Sequence, residues 1–213
     1  MKQLSKILLA ILFILNSCTT SRVTSMWTAP DVQQKKHKKI LVLGLLHERS
    51  GALREKIETH IVRDLKNLGY DAICSCEEYD PKAFENMKEA EALQKLSGGD
   101  IDAVLTIILL NKTRERNYFL GRDKYPPQWW EYYSTMYERI YEPGYFEEST
   151  KYFWESNFYD LNSKELLYSA QTQSFDASSA ESLANEYGKL IVNEMTKRAV
   201  LSHQKTSLAV QPM

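Results

Sequence analysis

The sequence predicts an α/β protein, a three-layer sandwich on a mixed β-sheet, with the order β-α-β-α-β, an aromatic insert and then β-β-α. Residues 40–46 and 103–110 are nearly continuous apolar runs without alternation, which is typical of parallel strands covered on both faces. Two segments with helical periodicity lie between these runs. The chain therefore alternates strand and helix, and we expect right-handed crossovers.

The first helix is predicted from one apolar stripe, spaced four, four, four and three residues apart: Leu53, Ile57, Ile61, Leu65 and Leu68. Ser50 is suited to cap its start, and Gly69 is suited to end it. A short strand over residues 70–76 is expected next. Asp80 and Pro81 then predict the start of a second helix, which ends before Gly98.

The second half of the chain changes character after residue 111, since 16 of the 24 aromatic residues lie between Tyr118 and Tyr159. Residues 152–160 and 165–175 predict two strands of an antiparallel hairpin. Ser178 and Glu181 have the spacing of a capping box that opens a final helix. We expect a single domain over residues 39–201, with an aromatic insert over 112–150 and a disordered tail over 202–213.

The amino terminus is organised like a secretory signal peptide. Lys2 and Lys6 precede an apolar run over residues 7–15, which is shorter than the ~20 residues of a permanent membrane span. We therefore expect residues 1–17 to be a signal peptide. The stretch Leu15-Asn16-Ser17-Cys18 resembles the bacterial lipobox.

The lipobox resemblance implies that the Cys18 thiol receives diacylglycerol and that cleavage makes Cys18 the acylated first residue of a lipoprotein, with palmitate a typical acyl chain. The other interpretation is an ordinary signal peptide followed by a cysteine. Two or three acyl chains hold a protein on a membrane essentially permanently. Because Thr19 and Thr20 follow Cys18, and neither aspartate nor an acidic cluster does, the resemblance favours the periplasmic face of the outer membrane.

Residues 18–38 are predicted to be a flexible tether, because they begin rich in Thr and Ser and end in a Lys/His run. Such a tether spans roughly 70 Å when extended and about 25 Å as a coil. The Lys/His run either lies in solvent or rests on anionic headgroups. We expect the tether to hold the domain clear of the membrane.

Charge and motifs argue against several classes of function. With 27 basic and 28 acidic residues, the chain lacks the excess positive charge that phosphate binding needs, so we expect no nucleic-acid partner. The loop over residues 44–51 is not a P-loop, because six residues separate its glycines. His47, Glu48 and Arg49 are more typical of a solvated loop, and His60 has no second histidine at a ligand spacing. We therefore expect no enzyme, no metal and no cofactor.

Cys74 and Cys76 lie two residues apart in the strand predicted over 70–76, so we expect both side chains on one face. In an extended strand their Cα separation is near the upper limit for a disulfide. Two interpretations stay open, reduced cysteines and a strained disulfide in an oxidising periplasm. A two-thiolate metal site is the third.

The aromatic insert holds the residues best suited to a binding surface: Trp129, Trp130, Tyr132 and Tyr133. Adjacent side chains diverge, so the two tryptophans are hard to bury together. Tyr and Trp combine a large apolar area with a polar tip, which suits protein interfaces, glycan stacking and the membrane interface. The other interpretation is a self-packed cover over the sheet, as we expect for Trp154 and Phe158.

Four pieces of the chain carry a family resemblance. They are the lipobox at Cys18, Trp27-x-x-Pro30, the strand over 39–46 with its amphipathic helix, and Phe158-Tyr159-Asp160 before Glu165-Leu166-Leu167-Tyr168. Together they resemble small envelope lipoproteins related in architecture to the amino-terminal domain of TolB and to the curli-secretion lipoprotein. Most such proteins have no known function, so the resemblance implies the fold more than the activity.

Taken together, the anchor, the resemblance and the aromatic insert lead us to expect a non-enzymatic, lipid-anchored periplasmic protein. It would bind or assemble an envelope protein partner through the insert or an exposed sheet edge. The alternative is a lipoprotein that binds a small ligand or glycan on its aromatic residues. A pocket with convergent polar groups would favour the alternative, and a flat aromatic patch would favour a protein partner.

Overall fold

The computed structural model describes residues 21–32, 36–46, 51–79, 83–84, 86–119, 129–130, 133, 145–175 and 177–204. Several predicted features lie outside the described residues: the signal peptide, Cys18, the loop residues 47–50, the pair 80–81, Tyr132 and the tail beyond residue 204.

The described chain is an α/β fold on a six-stranded mixed sheet, as predicted. Its strands are β1 (Ser21–Thr28), β2 (Lys39–Leu45), β3 (Asp71–Cys74), β4 (Ala103–Phe119), β5 (Tyr145–Asp160) and β6 (Glu165–Phe175). Its helices are α1 (Ala52–Asn67), α2 (Ser75–Glu78), α3 (Glu89–Ser97) and α4 (Ala180–Lys197). The strand order is β1-β6-β5-β4-β2-β3, in which β2 pairs in parallel with β3 and β4 and the other neighbours are antiparallel.

The two apolar runs form neighbouring parallel strands inside the sheet, as predicted, with Ile40 opposite Ala103. Helices α1 and α4 pack together over one face of the sheet and bury their apolar stripes against it. Gly69 ends α1 with a φ of 93°, the left-handed conformation that a glycine adopts without strain. Both runs differ from the prediction at their carboxyl ends, where Leu45 and Leu110 are exposed.

A smaller apolar cluster covers the opposite face, but only over the parallel strands. Leu41 and Val104 pack there with Leu96 of α3 and with Ile101. The same face of the antiparallel strands is more polar, and Gln171 and Ser25 are exposed on it. The third layer therefore covers the parallel part of the sheet.

The aromatic insert begins and ends in sheet, because β4 and β5 continue as one hairpin to Phe119 opposite Tyr145. This is longer than the strands predicted from residues 103–110 and 152–160. On the helical face of the hairpin, Trp154 and Phe158 are fully buried, as predicted. The Trp154 ring lies 5.0 Å from that of Tyr187 in α4.

The predicted tether over residues 18–38 is wrong for its described part. Residues 21–28 form β1, which pairs antiparallel with β6 along its length. After β1, Ala29 and Val32 are buried, and His37 Nε2 lies 3.1 Å from Asp160 Oδ2 in the interior. Residues 21–28 also include Thr, Val and Trp, which favour a strand once β6 offers a partner.

Three smaller predictions also need correction. The helix predicted after Asp80 and Pro81 is α3, which begins at Glu89. Asn86 has a φ of 60°, which no α-helix contains. The cap of α4 is Ser179, whose Oγ accepts the Ser182 N–H at 3.1 Å, so no capping box joins Ser178 to Glu181. The start of the predicted tail is ordered, because the Ser202 and Gln204 N–H groups donate to Tyr70 Oη and to the Leu68 carbonyl.

Candidate functional site

The aromatic surface consists of Trp129, Trp130 and Tyr133, which are in helical conformation. Their rings lie against one another, with centroids 5.8 to 5.9 Å apart. Trp129 is 75% exposed, Trp130 64% and Tyr133 50%. The two tryptophans are therefore not a lid on the sheet core. Tyr132, the fourth predicted residue, lies outside the described part of the chain.

The segment that contains the aromatic surface joins β4 to β5, and it leaves the hairpin on the side of the sheet where the chain enters β1. Ser21 pairs with Ser174, which pairs with Tyr152, which in turn pairs with Lys112. From that level the β4–β5 hairpin continues for seven more residues to Phe119. At ~3.4 Å per residue, the hairpin extends about 24 Å beyond Ser21 along the strand direction.

Oppositely charged side chains of β4 and β5 pair across the extended hairpin. Lys151 Nζ lies 2.6 Å from Glu115 Oε2, and Arg116 Nε lies 3.5 Å from Glu148 Oε1. Near the level of Ser21, the Lys112 ammonium lies 4.9 Å from the centre of the Tyr152 ring. These groups are largely exposed, so the pairs fix the register of the strands more than they add stability.

A second group of chemically capable residues surrounds Glu58 of α1, which is fully buried. Its Oε1 accepts the Gly44 N–H at 2.8 Å, and its Oε2 accepts the Cys76 N–H at 2.9 Å. The Ser75 hydroxyl is 2.9 Å from both oxygens, and Cys74 Sγ is 3.0 Å from Oε2. We call this group, Glu58 with Cys74, Ser75 and Cys76, the Glu58 cluster.

The Glu58 cluster lies at the carboxyl ends of parallel strands, the edge at which open α/β sheets bind ligands. Gly44 makes the close approach of Glu58 to β2 feasible, because a Cβ there would lie 2.8 Å from Glu58 Oε1. Arg54, one turn earlier on α1, has its Nε 3.8 Å from the same oxygen. Burial raises the pKa of the Glu58 carboxyl above its ordinary value, and the hydrogen bonds and Arg54 oppose that increase.

Cys74 and Cys76 form a disulfide, one of the two main interpretations that the sequence left open. Strand β3 ends at Cys74 and α2 begins at Ser75, so the chain turns between the two cysteines. This turn brings their Cα atoms to 5.1 Å, within the ordinary range for a disulfide. The expectation of a fully extended strand through residue 76 was therefore wrong.

The sulfurs and the carboxylate of the Glu58 cluster lie within 4.8 Å of one another. In the disulfide form neither sulfur is a thiolate, the form in which cysteine binds metals. The geometry described here therefore fits sulfur redox chemistry better than it fits metal binding.

Sequence reasoning missed Glu58, because a glutamate four residues after Arg54 is typical of an exposed helix pair. One signal pointed to burial. Residues 58, 61 and 65 are three and four residues apart, so Glu58 lies on the same face of α1 as the apolar Ile61 and Leu65.

The histidines considered from the sequence have other roles or lie elsewhere. His60 Nε2 lies 2.5 Å from Glu181 Oε1, and Lys56 Nζ lies 2.6 Å from Oε2, so Glu181 joins α4 to α1. These two hydrogen bonds, with Lys56 the stronger influence, lower the pKa of Glu181. The polar loop containing His47 lies outside the described residues.

A cleft of about 340 Å³ lies between the carboxyl-terminal halves of α1 and α4. Asp64, Lys189, Asn193 and His203 are among its lining residues. No residue of the aromatic surface or of the Glu58 cluster lines it. Every helix in the described ranges is too short or too polar to span a membrane.

No family model matches the chain, and no curated protein sequence matches it. Among solved structures, it is similar to the PelC dodecamer from Paraburkholderia phytofirmans, at 15% identity and a TM-score of 0.41, over 87% of this chain and 99% of that chain. It is also similar to lipoprotein GNA1162 from Neisseria meningitidis, at 15% identity and a TM-score of 0.43, over 75% of this chain and 99% of that chain. The fold described above rests on the strand pairing of this chain itself.

Proposed function

We propose that this protein is a non-enzymatic, lipid-anchored module of the bacterial envelope, held against the periplasmic face of the outer membrane. Its anchor is the lipid on Cys18, and its aromatic surface inserts into the headgroup region of the same membrane. In that position it binds or helps to assemble an envelope protein partner. The observation that carries the proposal is the length of the β4–β5 hairpin relative to the chain between Cys18 and β1.

The lengths can be compared directly. Ser21 is three positions after Cys18 in the chain, so the lipidated residue is at most ~11 Å from the start of β1. The hairpin extends about 24 Å beyond the level of Ser21 on the same side, from Lys112 to Phe119. The hairpin is longer than the reach of the anchor. A hairpin that points toward the membrane therefore reaches it.

The residue types of the aromatic surface suit a membrane interface. Trp and Tyr prefer the headgroup level, where the ring is apolar and its N–H or O–H group stays hydrated. Trp129 and Trp130 are mostly exposed and stacked, so their apolar area is open to an acyl boundary. Such contacts supplement a lipid anchor and restrict the orientation of the domain.

The partner is proposed to pair with β1, the terminal strand of the sheet. Within the described ranges, only β6 pairs with β1, so its other edge is open to an added strand. Thr24 and Ser25 of β1 are exposed. A photo-crosslinker at Ser25 should trap this partner in intact cells, whereas one at the exposed Gln204 should not.

Vesicle binding tests the role of the aromatic surface without the lipid. Full-length protein with Cys18→Ala should bind anionic phospholipid vesicles more weakly than the lipidated protein, and Trp129→Ala should weaken that residual binding by about tenfold, the scale of one interfacial aromatic residue. Trp27→Ala is the matched control, since Trp27 is 49% exposed but pairs with Ser169 toward the opposite end of the sheet.

Two outcomes would contradict the membrane role. If Trp27→Ala and Trp129→Ala bind vesicles equally well, the aromatic surface does not meet the membrane. If Trp129→Ala keeps vesicle binding but loses binding to glycan arrays, the glycan alternative replaces this proposal.

A further inference from the structure

The Glu58 cluster contains a buried acid in contact with a disulfide, and membrane docking does not use it. Glu58 Oε2 lies 3.0 Å from Cys74 Sγ, while both carboxylate oxygens are bound by N–H and O–H donors of Gly44, Ser75 and Cys76. A disulfide sulfur has no proton to donate to Glu58. Reduction of the bond would add an S–H group directly beside the carboxylate.

We propose that Cys74 and Cys76 are a redox-active pair that exchanges with dithiols, and that Glu58 transfers the proton to and from Cys74. The pair closes a ring through one intervening residue, Ser75. Because the stabilisation from a disulfide grows with the length of the loop it closes, so short a loop adds little stability. The redox chemistry of the pair therefore says more about its role than its contribution to stability does.

Burial of the two sulfurs sets the direction of attack. Cys74 is buried, with 2% of its surface exposed, whereas Cys76 is only partly buried. An incoming thiolate therefore reaches Cys76 Sγ, and Cys74 is the leaving group. Glu58 touches Cys74, the sulfur on which negative charge develops.

The reaction is thiol–disulfide exchange with a dithiol reductant. One thiolate of the reductant attacks Cys76 Sγ, the bond between Cys74 and Cys76 breaks, and its electron pair goes to Cys74 Sγ. The Glu58 carboxylic acid gives its proton to that sulfur and becomes a carboxylate, which the N–H groups of Gly44 and Cys76 stabilise.

The second thiolate of the reductant then attacks the reductant's first sulfur, which is bonded to Cys76 in the mixed disulfide. This releases Cys76 as a thiolate, which takes a proton from water. Glu58 regains its proton from water. The net change is that the protein disulfide becomes two thiols while the dithiol becomes a disulfide, and oxidation runs through the same steps in reverse.

Reduction of the folded protein by dithiothreitol tests this proposal. Cys18→Ala leaves Cys74 and Cys76 as the two cysteines, so trapping with N-ethylmaleimide followed by mass spectrometry counts reduced molecules. The reduction rate is divided by the thiolate fraction of dithiothreitol. At pH 6 this normalised rate should be lower for Glu58→Gln than for its parent by about tenfold or more. Glu55→Gln is the matched control, an exposed glutamate on the same helix, and should stay within about twofold.

The pH profile of the unsubstituted cluster is a second measurement, which holds even where Glu58→Gln fails to fold. The normalised rate should fall as pH rises and Glu58 loses its proton. A flat profile would overturn the role of Glu58, as would equal rates for folded Glu58→Gln and its parent. A disulfide that dithiothreitol reduces only after unfolding would overturn the whole proposal. Vesicle binding is measured separately, so either proposal can fail alone.

Discussion

Two tryptophans, Trp154 of β5 and Trp129 of the aromatic surface, should differ sharply in their effect on stability. Trp154→Ala removes a side chain that is fully buried between the sheet and α4, where it contacts Tyr187. Trp129→Ala removes a side chain that is 75% exposed. Because the residue type and the substitution are identical, the difference isolates burial.

The magnitudes follow from these environments. Truncating a buried tryptophan costs about 3–5 kcal/mol, while an exposed substitution stays within about 0.5 kcal/mol. In a domain of this size, 1 kcal/mol moves the melting midpoint by roughly 2–4 °C. Trp154→Ala should therefore lower Tm by roughly 6–20 °C, and Trp129→Ala by no more than about 2 °C.

Thermal unfolding of the Cys18→Ala protein, followed by far-ultraviolet circular dichroism without lipid, measures both shifts. The two-state form of each transition is checked by chemical denaturation with urea. A loss of more than about 5 °C for Trp129→Ala would show that the aromatic surface packs as core, and the membrane proposal would then lose its basis. A small loss for Trp154→Ala would contradict the packing of the hairpin under α4.

Three further outcomes follow. Cys18→Ala should leave the protein uncleaved or release it from membranes, and intact mass spectrometry of the original protein should show a lipid on Cys18; an unmodified mass would refute the anchor. Gly44→Ala should destabilise the fold by about 1–3 kcal/mol in urea, because the new Cβ would lie 2.8 Å from Glu58 Oε1 and from Arg54 Cγ; a neutral result would mean that the Glu58 cluster shifts freely. Because burial raises the pKa of Glu58 in the folded state, its contribution to stability is fully present below about pH 4.5 and is lost as pH rises through the folded value. Glu58→Gln should remove that part of the pH dependence. If the unfolding free energy of the variant and of its parent changes with pH at the same slope, Glu58 makes no such contribution.

The parts of the fold that the sequence predicted are those in which local pattern and final environment agree. Residues 40–46 and 103–110 lack alternation because helices or loops cover both faces of those strands, and the stripe of α1 repeats because one side of it is buried. Each of these patterns is contained within one element. These elements can therefore be predicted without knowing which elements they pack against.

Strand β1 shows the opposite case. Its Ser and Thr residues are also typical of linkers, and its pairing partner β6 lies about 150 residues later, with Ser21 opposite Ser174. Glu58 was missed for the same reason, because the groups that bury and bind it come from Gly44 in β2 and from the turn after β3. The turn between Cys74 and Cys76, which decides in favour of the disulfide, likewise depends on that buried carboxylate.

The correction at β1 also changes how the molecule can work. A tether of 20 residues would let the domain turn freely at about 25 Å from the membrane, and either end of the sheet could then meet a partner. With β1 starting at Ser21, the proposed anchor at Cys18 lies at most ~11 Å away and at the same end of the sheet. The hairpin is bound to that end through the pairing of β6 with β5 and of β5 with β4. In the proposed arrangement the lipid and the aromatic surface face the membrane together, and the edge of β1 that does not pair with β6 lies beside the membrane, where an envelope protein partner is proposed to bind.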